Sequence, residues 1–359
     1  MTDVFLIAGR RSPVMPRGGA FAALAPHELA APVIRAVLAD AGLPPEAVDE
    51  AILSNALGAG GNPARLAALA AGLPERVAGL TIDRQCAGGL DAIRLAAGMV
   101  ASGQARVVIA GGAESYSRRP LRLAQRPGQP PEPYDQPPFT PWPGRDPDMT
   151  GAAAALAERL GISRSRQEKW AIRSHALALA AGHSDIVPLA GLAADGFTRD
   201  LAPRLCSRAK VLAGSVTSAT AAVAADAAAF VLVCDAATAR QAPRRRRVLA
   251  SATLGARPEE PGLSPVPAIR AVLEATGFAP RDLERIELME AYAVQALACI
   301  DACCLPEGRV NPQGGALARG HPIGASGAIL ATSLFHGHGP GLAAIAAAGG
   351  IGSALILGA

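Results

Sequence analysis

Cys86 is a candidate nucleophile because it lies where a short apolar stretch gives way to a glycine-containing helix start. It follows Thr81–Gln85 and precedes Ala87-Gly88-Gly89, after which apolar residues recur at helical spacing. A thiol at such a turn meets free backbone N–H groups and the positive end of the helix dipole, and both lower a thiol pKa. The glycines would let a substrate carbonyl approach those N–H groups, which can hold an oxyanion. A lone cysteine is more often a small buried hydrophobic residue, so the segment alone leaves both readings open.

His321 is the second candidate, within the string Gly320-His-Pro-Ile-Gly-Ala-Ser-Gly327. Pro322 fixes the chain direction just after it, and the flanking glycines leave space around the ring. A histidine held in this way can accept a thiol proton or donate to a thioester oxygen. A structural histidine is equally compatible with this segment by itself. The other histidines lack such a setting and are interpreted as surface or helix residues: His27, His175, His183, His336 and His338.

Both candidates must be positioned by alternating apolar strands and alanine-rich helices. This alternation predicts parallel-type α/β layering. The strands expected are Val4–Ala8, Glu50–Leu53, Thr81–Ile82, Val107–Ala110, Ala228–Cys234, Arg247–Thr253 and Ile286–Leu288, and the helices are Pro26–Ala41, Pro63–Ala71, Leu90–Gly103 and Val266–Gly277. The final quarter repeats the earlier order of a glycine turn, a helix and a strand ending in two glycines, which suggests two similar halves.

The middle of the chain differs in character. It begins with a proline-rich segment, Arg126–Pro147, and continues into expected helices at Gly151–Leu160 and Arg164–Ala181. An insertion or cap between the two halves is the natural interpretation. The 359 residues, half of them hydrophobic, suffice for two fused cores.

Composition favours a reduced, non-membrane protein. The net charge is +4, and the run Arg244–Arg247 is interpreted as a solvated linker between the lobes, because nothing else typical of a nucleic-acid site accompanies it. The six cysteines include no CxxC pair, and no secretory signal is evident, so we expect free thiols, a cytoplasmic location and no metal site. The last twenty residues are uncharged, but their glycines favour two strands, Leu342–Ala347 and Ser353–Leu357, over a membrane span.

Taken together, the Cys86 and His321 segments resemble those of the thiolase family of acyl-CoA C-acyltransferases. The resemblance continues through nearly the whole chain in the strings Arg11-Ser-Pro13, Asn62-Pro-Ala-Arg65, Gly111-Gly-Ala-Glu-Ser115, Gly161-Ile-Ser-Arg164, Gly214-Ser-Val-Thr217, Met289-Glu-Ala-Tyr292 and Val310-Asn-Pro-Gln-Gly-Gly315. It implies a five-layered α-β-α-β-α fold of two similar halves with a cap. The expected division is 1–117 plus 214–243 for the N-terminal half, 118–213 for the cap and 244–359 for the C-terminal half.

The resemblance also implies a ping-pong reaction in which Cys86 takes the acyl group of a CoA thioester and passes it on. CoA thioesters are then the substrate, without a separate cofactor, and the chain is expected to form homodimers or homotetramers. One oxyanion hole is expected from the backbone N–H groups of Cys86 and Ala348. Glu290 keeps a family position and is expected either to orient a water and the His321 side of the site or to act as a structural carboxylate.

Two positions at the expected catalytic site depart from the family pattern. Ala346 replaces a second cysteine that serves as acid and base for the second substrate, and Met289 replaces an asparagine that positions a water in another oxyanion hole. An alanine cannot move a proton, and a methionine side chain cannot donate a hydrogen bond. The sequence therefore leaves three hypotheses: acyl transfer or condensation without α-proton abstraction, thioesterase-like hydrolysis of acyl-Cys86, and a non-catalytic subunit that retains the fold.

Overall fold

The computed structural model describes residues 2–58 and 60–359. The strands are β1 Val4–Arg11, β2 Met15–Pro16, β3 Glu50–Ser54, β4 Leu80–Ile82, β5 Val107–Ser115, β6 Arg122–Ala124, β7 Glu132–Tyr134, β8 Val211–Ala213, β9 Val216–Thr217, β10 Ala225–Asp235, β11 Arg246–Gly255, β12 Arg285–Leu288, β13 Gly341–Ala347 and β14 Ile351–Leu357. The helices are α1 Pro26–Ala41, α2 Pro63–Ala71, α3 Gly88–Ala101, α4 Met149–Leu160, α5 Arg164–Ala180, α6 Pro203–Ser207, α7 Ala236–Ala239, α8 Pro265–Thr276, α9 Ala293–Cys303, α10 Ala316–Arg319 and α11 Ile323–Phe335.

Two half-sheets share one strand order apart from β4, an extra edge strand in the first, which supports the expected internal repeat. The first runs β4-β3-β5-β10-β1 and the second runs β12-β13-β14-β11. They meet through a short antiparallel pairing of β1 with β11. In each half the first strand lies beside the last, β1 beside β10 and β11 beside β14. The expectation of parallel layering holds only for β3 with β4 and β5 and for β12 with β13. The other strand pairings are antiparallel. Strand β14, for example, follows β13 through a tight turn, and such a turn reverses the chain direction.

The helices form three layers around the half-sheets. Helices α3 and α11 pack on each other and contact strands of both half-sheets, so they form the central layer. Helices α1 and α2 share a core with the outer face of the first half-sheet, and α8 and α9 share one with the second. The result is the expected five-layered α-β-α-β-α arrangement.

Glycines set the separation of α3 and α11. A Cβ atom on Gly89 would lie 2.7 Å from the Ala328 nitrogen, and one on Gly327 would lie 2.4 Å from the Leu90 nitrogen. A Cβ atom cannot lie so close to another backbone, so α3 and α11 can touch only because these two residues have no side chain. Since Cys86 precedes α3 and His321 precedes α11, this contact fixes how close the two can come.

The middle of the chain contributes a β6–β7 hairpin and the helices α4, α5 and α6. Helices α4 and α5 pack against α9, and α5 also packs against α10. The division at residues 117/118 and 213/214 stays a prediction.

The uncharged C-terminal segment forms the two strands expected of it, β13 and β14. No helix in the described residues is long and apolar enough to cross a membrane.

The interpretation of Arg244–Arg247 as a solvated linker is wrong for Arg246. Its side chain is buried at the start of β11, and it donates to the carbonyl oxygens of Leu334, Gly337 and Gly358. Burial against backbone acceptors lowers the pKa of this arginine to about 10. The residue thus joins the end of α11 to the last strand.

Candidate active site

Cys86 lies in a short 3-10 turn, Gln85–Ala87, that leads directly into α3. Gln85 has a left-handed backbone with φ of 49°, a conformation that costs a non-glycine residue free energy and often marks functional turns. Asp83 holds this turn by accepting hydrogen bonds from the Gln85 backbone N–H at 2.8 Å and from its side-chain amide at 3.0 Å. The turn therefore presents the thiol at the start of the central helix layer.

His321 is fixed from both sides of its ring. Its backbone N–H donates to the Val223 oxygen at 2.8 Å, which ties it to the segment leading into β10. Nε2 lies 3.2 Å from Cys86 Sγ, and Nδ1 lies 2.7 Å from Ser326 Oγ in α11. The structure thus brings together two residues 235 positions apart in the geometry of a nucleophile and its base.

Burial sets the protonation of this pair. It raises the pKa of the Cys86 thiol to about 12, although the backbone N–H groups of Cys86 and Ala348 point toward the sulfur and lower it. Burial also lowers the pKa of His321 to about 4. The expectation that the turn and the helix leave Cys86 with a lowered pKa is therefore wrong, because loss of water around the sulfur outweighs the backbone dipoles. At neutral pH the pair rests as thiol and neutral imidazole.

A cavity of about 310 Å³ opens onto both residues. Its wall is formed by Leu57, Gln85, Cys86, Tyr116, Arg119, Arg122, Asp135, Gln136, Pro137, Phe139, Met149, Ala153, Leu156, Ala222, Ala224, Pro261, Gly262, Ala291, Tyr292, Gln295, His321, Ile323, Ala346, Ala347 and Ala348. Most of these side chains are apolar, which suits an acyl chain and a pantetheine arm. The cavity combines side chains from both halves and from the middle segment.

Ala346 and Met289 occupy different surroundings. Ala346 lines the cavity at the end of β13. Met289 is buried in the core between the half-sheets, and its backbone N–H donates to the Ala344 oxygen at 2.9 Å. Ala346 therefore presents only a methyl group to the cavity.

Glu290 is fully buried and accepts four hydrogen bonds. Oε1 receives Trp170 Nε1 at 3.0 Å and Asn311 Nδ2 at 2.7 Å, and Oε2 receives Ser174 Oγ at 2.8 Å and the Leu317 N–H at 3.2 Å. Its carboxylate thus joins α5 of the middle segment to α10. Glu290 is absent from the described cavity wall.

Sequence reasoning missed Glu114, a second buried carboxylate. It accepts hydrogen bonds from Asn55 Nδ2 at 2.7 Å, the Ala56 N–H at 3.0 Å and the Gly324 N–H at 2.9 Å. Burial raises its pKa to about 7. Glu114 ties the loop after β3 to the start of α11, and only its place in the string Gly111–Ser115 could have pointed to it.

Three further cavity groups were also missed in the sequence. The Tyr292 hydroxyl lies 3.0 Å from Thr150 Oγ1 in α4, and burial raises the pKa of Tyr292. Arg119 and Arg122 reach the cavity from the start of the β6–β7 hairpin. No local pattern distinguishes these arginines from the many others in the chain. Cys303 and Cys304 are absent from the described cavity wall and line a separate surface depression.

Comparison with known proteins gives a consistent result. Residues 4–237 match the family model "Thiolase, N-terminal domain" and residues 243–359 match "Thiolase, C-terminal domain". An acetyl-CoA acetyltransferase of Cupriavidus necator is 36% identical over 99% of this chain and 99% of its own length. The 3-oxoadipyl-CoA/3-oxo-5,6-dehydrosuberyl-CoA thiolase of Escherichia coli is 35% identical over 94% of this chain and 93% of its own.

Among solved structures, the crystal structure of the Bacillus anthracis acetyl-CoA acetyltransferase superposes with a TM-score of 0.93 at 34% identity. That match covers 100% of this chain and 99% of the other. The two family models, the identity to these relatives and the structural superposition show that the chain belongs to the thiolase family.

Proposed function

We propose that this protein is an acyltransferase that accepts the acyl group of a CoA thioester on Cys86, with His321 as the base. The observation that carries the proposal is the 3.2 Å separation of His321 Nε2 and Cys86 Sγ at the wall of an apolar cavity. The thioester is the substrate, and the chemistry of these residues requires no separate cofactor. The names of the similar proteins, acetyl-CoA acetyltransferase and thiolase, support the same reaction class.

The first half-reaction follows from the resting state of the pair. Because both groups are neutral, His321 Nε2 takes the thiol proton as Sγ attacks the thioester carbonyl carbon, and no free thiolate accumulates. The carbonyl oxygen gains negative charge, and the N–H groups of Cys86 and Ala348, which already point toward the sulfur, are suited to hold it. When the carbon–sulfur bond of the thioester breaks, the CoA thiolate leaves with the proton from His321.

The second half-reaction is constrained by Ala346. Abstraction of an α-proton from a second acyl-CoA needs a base at the cavity wall, and the Ala346 methyl group offers none. Transfer of the acyl group to a thiol, or a condensation driven by decarboxylation, has no such requirement. The alternative function is hydrolysis of acyl-Cys86 by water. The third hypothesis is a non-catalytic subunit.

Glu290 fits a structural role better than a water-orienting one. Four donors already surround its carboxylate, so little capacity remains for a catalytic water. In this proposal Glu290 holds the cap, residues 118–213, onto the C-terminal half, residues 244–359. Residues 1–117 and 214–243 form the N-terminal half.

A cytoplasmic homodimer or homotetramer completes the proposal. The six cysteines are free, as a reducing compartment requires. Strand β4 ends one edge of the sheet and exposes Leu80 there, and such edges commonly pair with a second chain. Analytical ultracentrifugation would measure the oligomer, and a monomer at micromolar concentration would contradict this part.

Mass spectrometry of the intact protein tests the central step. Incubation with a panel of acyl-CoAs and acyl-carrier-protein thioesters should add one acyl mass to the wild type. Cys86→Ala should lose the adduct, and Cys304→Ala, which removes an exposed thiol away from the cavity, should keep it. Absence of any Cys86-dependent adduct across the panel would eliminate both enzyme hypotheses and leave the non-catalytic one.

A further inference from the structure

Two guanidinium groups reach the cavity from the β6–β7 hairpin and the residues just before it, and only one carboxylate accompanies them in the described cavity wall. Arg119, Arg122 and Asp135 are the side chains in the described cavity wall that are charged at neutral pH. The balance at this end of the cavity is therefore one net positive charge. A net charge inside a mostly apolar wall attracts an anion more strongly than it would in water.

Within the part of the chain that the structure describes, Arg122 is bonded only to backbone oxygens. Its Nη2 donates to the Leu57 oxygen at 3.1 Å and the Ala56 oxygen at 3.4 Å, and its Nη1 lies 3.4 Å from the Asp135 oxygen. Carbonyl groups satisfy donors without neutralising the charge. Within residues 2–58 and 60–359, no carboxylate lies at ion-pair distance from this guanidinium.

Arg119 already holds a carboxylate. Its Nη2 lies 2.5 Å from Asp135 Oδ1, and its guanidinium lies over the Tyr116 ring at 5.1 Å from the centroid. The Arg119 side chain is 21% exposed, whereas that of Asp135 is 79% exposed. An exposed partner contributes little to such a pair, so another carboxylate can displace Asp135 at low cost while Tyr116 keeps Arg119 in place.

We propose that this cavity selects acyl groups whose far end carries a carboxylate, which Arg119 and Arg122 bind while the thioester lies at Cys86. The inference rests on the proposed function, because it places the acyl carbonyl at that thiol. Apolar residues, among them Leu57, Phe139 and Ile323, share the wall with the two arginines and suit the methylene chain between the two ends. Planar guanidinium groups match a carboxylate in geometry as well as charge.

Adipyl-CoA and hexanoyl-CoA test this directly, because they have the same chain length and differ in the terminal carboxylate. The rate of Cys86 acylation should be at least about 10-fold higher with adipyl-CoA. Arg119→Gln and Arg122→Gln should each lower this ratio about 10-fold, because they should slow acylation by adipyl-CoA far more than acylation by hexanoyl-CoA. Arg126→Gln is the matched control, since Arg126 lies in the same hairpin, pairs with Glu132 and is absent from the described cavity wall.

Asp135→Asn distinguishes loss of the carboxylate site from a mere disturbance of the hairpin by the arginine substitutions. It removes the competing carboxylate and should raise the preference for adipyl-CoA. The proposal is overturned if the wild type shows no preference, if Asp135→Asn leaves the ratio unchanged, or if the arginine variants slow both substrates equally, as contacts to the CoA phosphates would.

Equilibrium binding to Cys86→Ala separates this inference from the proposed function. Tighter, arginine-dependent binding of adipyl-CoA without acylation of the wild type would retain the carboxylate site and reject the acyl-transfer proposal. Acylation of the wild type by both substrates at equal rates would retain the acyl-transfer proposal and reject the carboxylate site.

Discussion

Ser326 Oγ lies 2.7 Å from His321 Nδ1, while His321 Nε2 lies 3.2 Å from Cys86 Sγ. If Nδ1 carries the proton and donates it to Ser326, Nε2 keeps its lone pair toward the thiol. Ser326 is five residues beyond His321 and lies in the first turns of α11, so the helix itself supplies the group that orients the base. This relationship makes Ser326 a positioning residue for the proposed reaction.

Ser326→Ala should slow Cys86 acylation about 10-fold, because the loss of one hydrogen bond frees the imidazole to rotate and to change tautomer. The rate is measured by rapid quench and intact mass spectrometry. Ser333→Ala removes another buried serine hydroxyl from the same helix and should leave the rate unchanged. Equal rates for Ser326→Ala and wild type would remove Ser326 from the mechanism.

The pH dependence of acylation should reflect the protonation of Cys86 and His321. Since burial lowers the pKa of His321 to about 4 and raises that of Cys86 to about 12, neither group titrates between about pH 5.5 and 8. His321 and Cys86 should therefore contribute no change in kcat/KM for acylation over that range, and kcat/KM should fall as the pH drops toward 4, where protonated imidazole can no longer accept the thiol proton. A midpoint near the ordinary histidine pKa, about 6.5, that persists in Glu114→Gln, which removes a nearby carboxyl with a pKa of about 7, would contradict this assignment.

Glu290→Gln should destabilise the fold more than it slows acylation. The glutamine amide must place its NH₂ group against one pair of donors now facing the carboxylate, so at least one buried donor loses its acceptor at a cost of about 1–3 kcal/mol. Urea unfolding measures this loss. A stable variant with acylation lowered a hundredfold would instead favour a direct role at the site.

Gly327→Ala tests the close contact of the central helices. The new Cβ would lie 2.4 Å from the Leu90 nitrogen, and overpacking of this kind costs about 1–3 kcal/mol. The variant should unfold at lower urea concentration and acylate more slowly, because α3 and α11 carry Cys86 and His321. Gly98→Ala is the matched control. Its Cβ would meet nothing within 4 Å on the same helix layer, so stability should rise by about 0.5–1 kcal/mol.

Local patterns predicted the elements better than they predicted the site. The bounds of α1 and α2 agree with those expected from sequence because each has proline in its first turn and glycine at its left-handed C-terminal cap. The partnership of Cys86 and His321 came from family resemblance, because no local pattern joins residues 235 positions apart. The pKa direction of Cys86 was wrong because burial is a tertiary property that a turn motif does not reveal. Buried Arg246 was misjudged for the same reason.

Ala346→Cys tests which missing group limits the second half-reaction. The new thiol would face the cavity at the end of β13, and acylation of Cys86 should change little. Thiolysis of a 3-oxoacyl-CoA should nevertheless stay slow, because Met289 stands where the family resemblance implies a donor to a second oxyanion hole, and loss of one such donor costs about 10²–10³ in rate. Adding Met289→Asn to Ala346→Cys should recover much of that factor.

Met289→Asn alone should recover none of the lost thiolysis rate. Because Met289 is buried in the central core, urea unfolding must show that this variant folds. Consumption of the 3-oxoacyl-CoA in the presence of CoA gives the rate for all three variants. Full recovery in Ala346→Cys alone would mean that His321 suffices as the side-chain donor in that hole, and that the alanine is the whole reason for slow thiolysis.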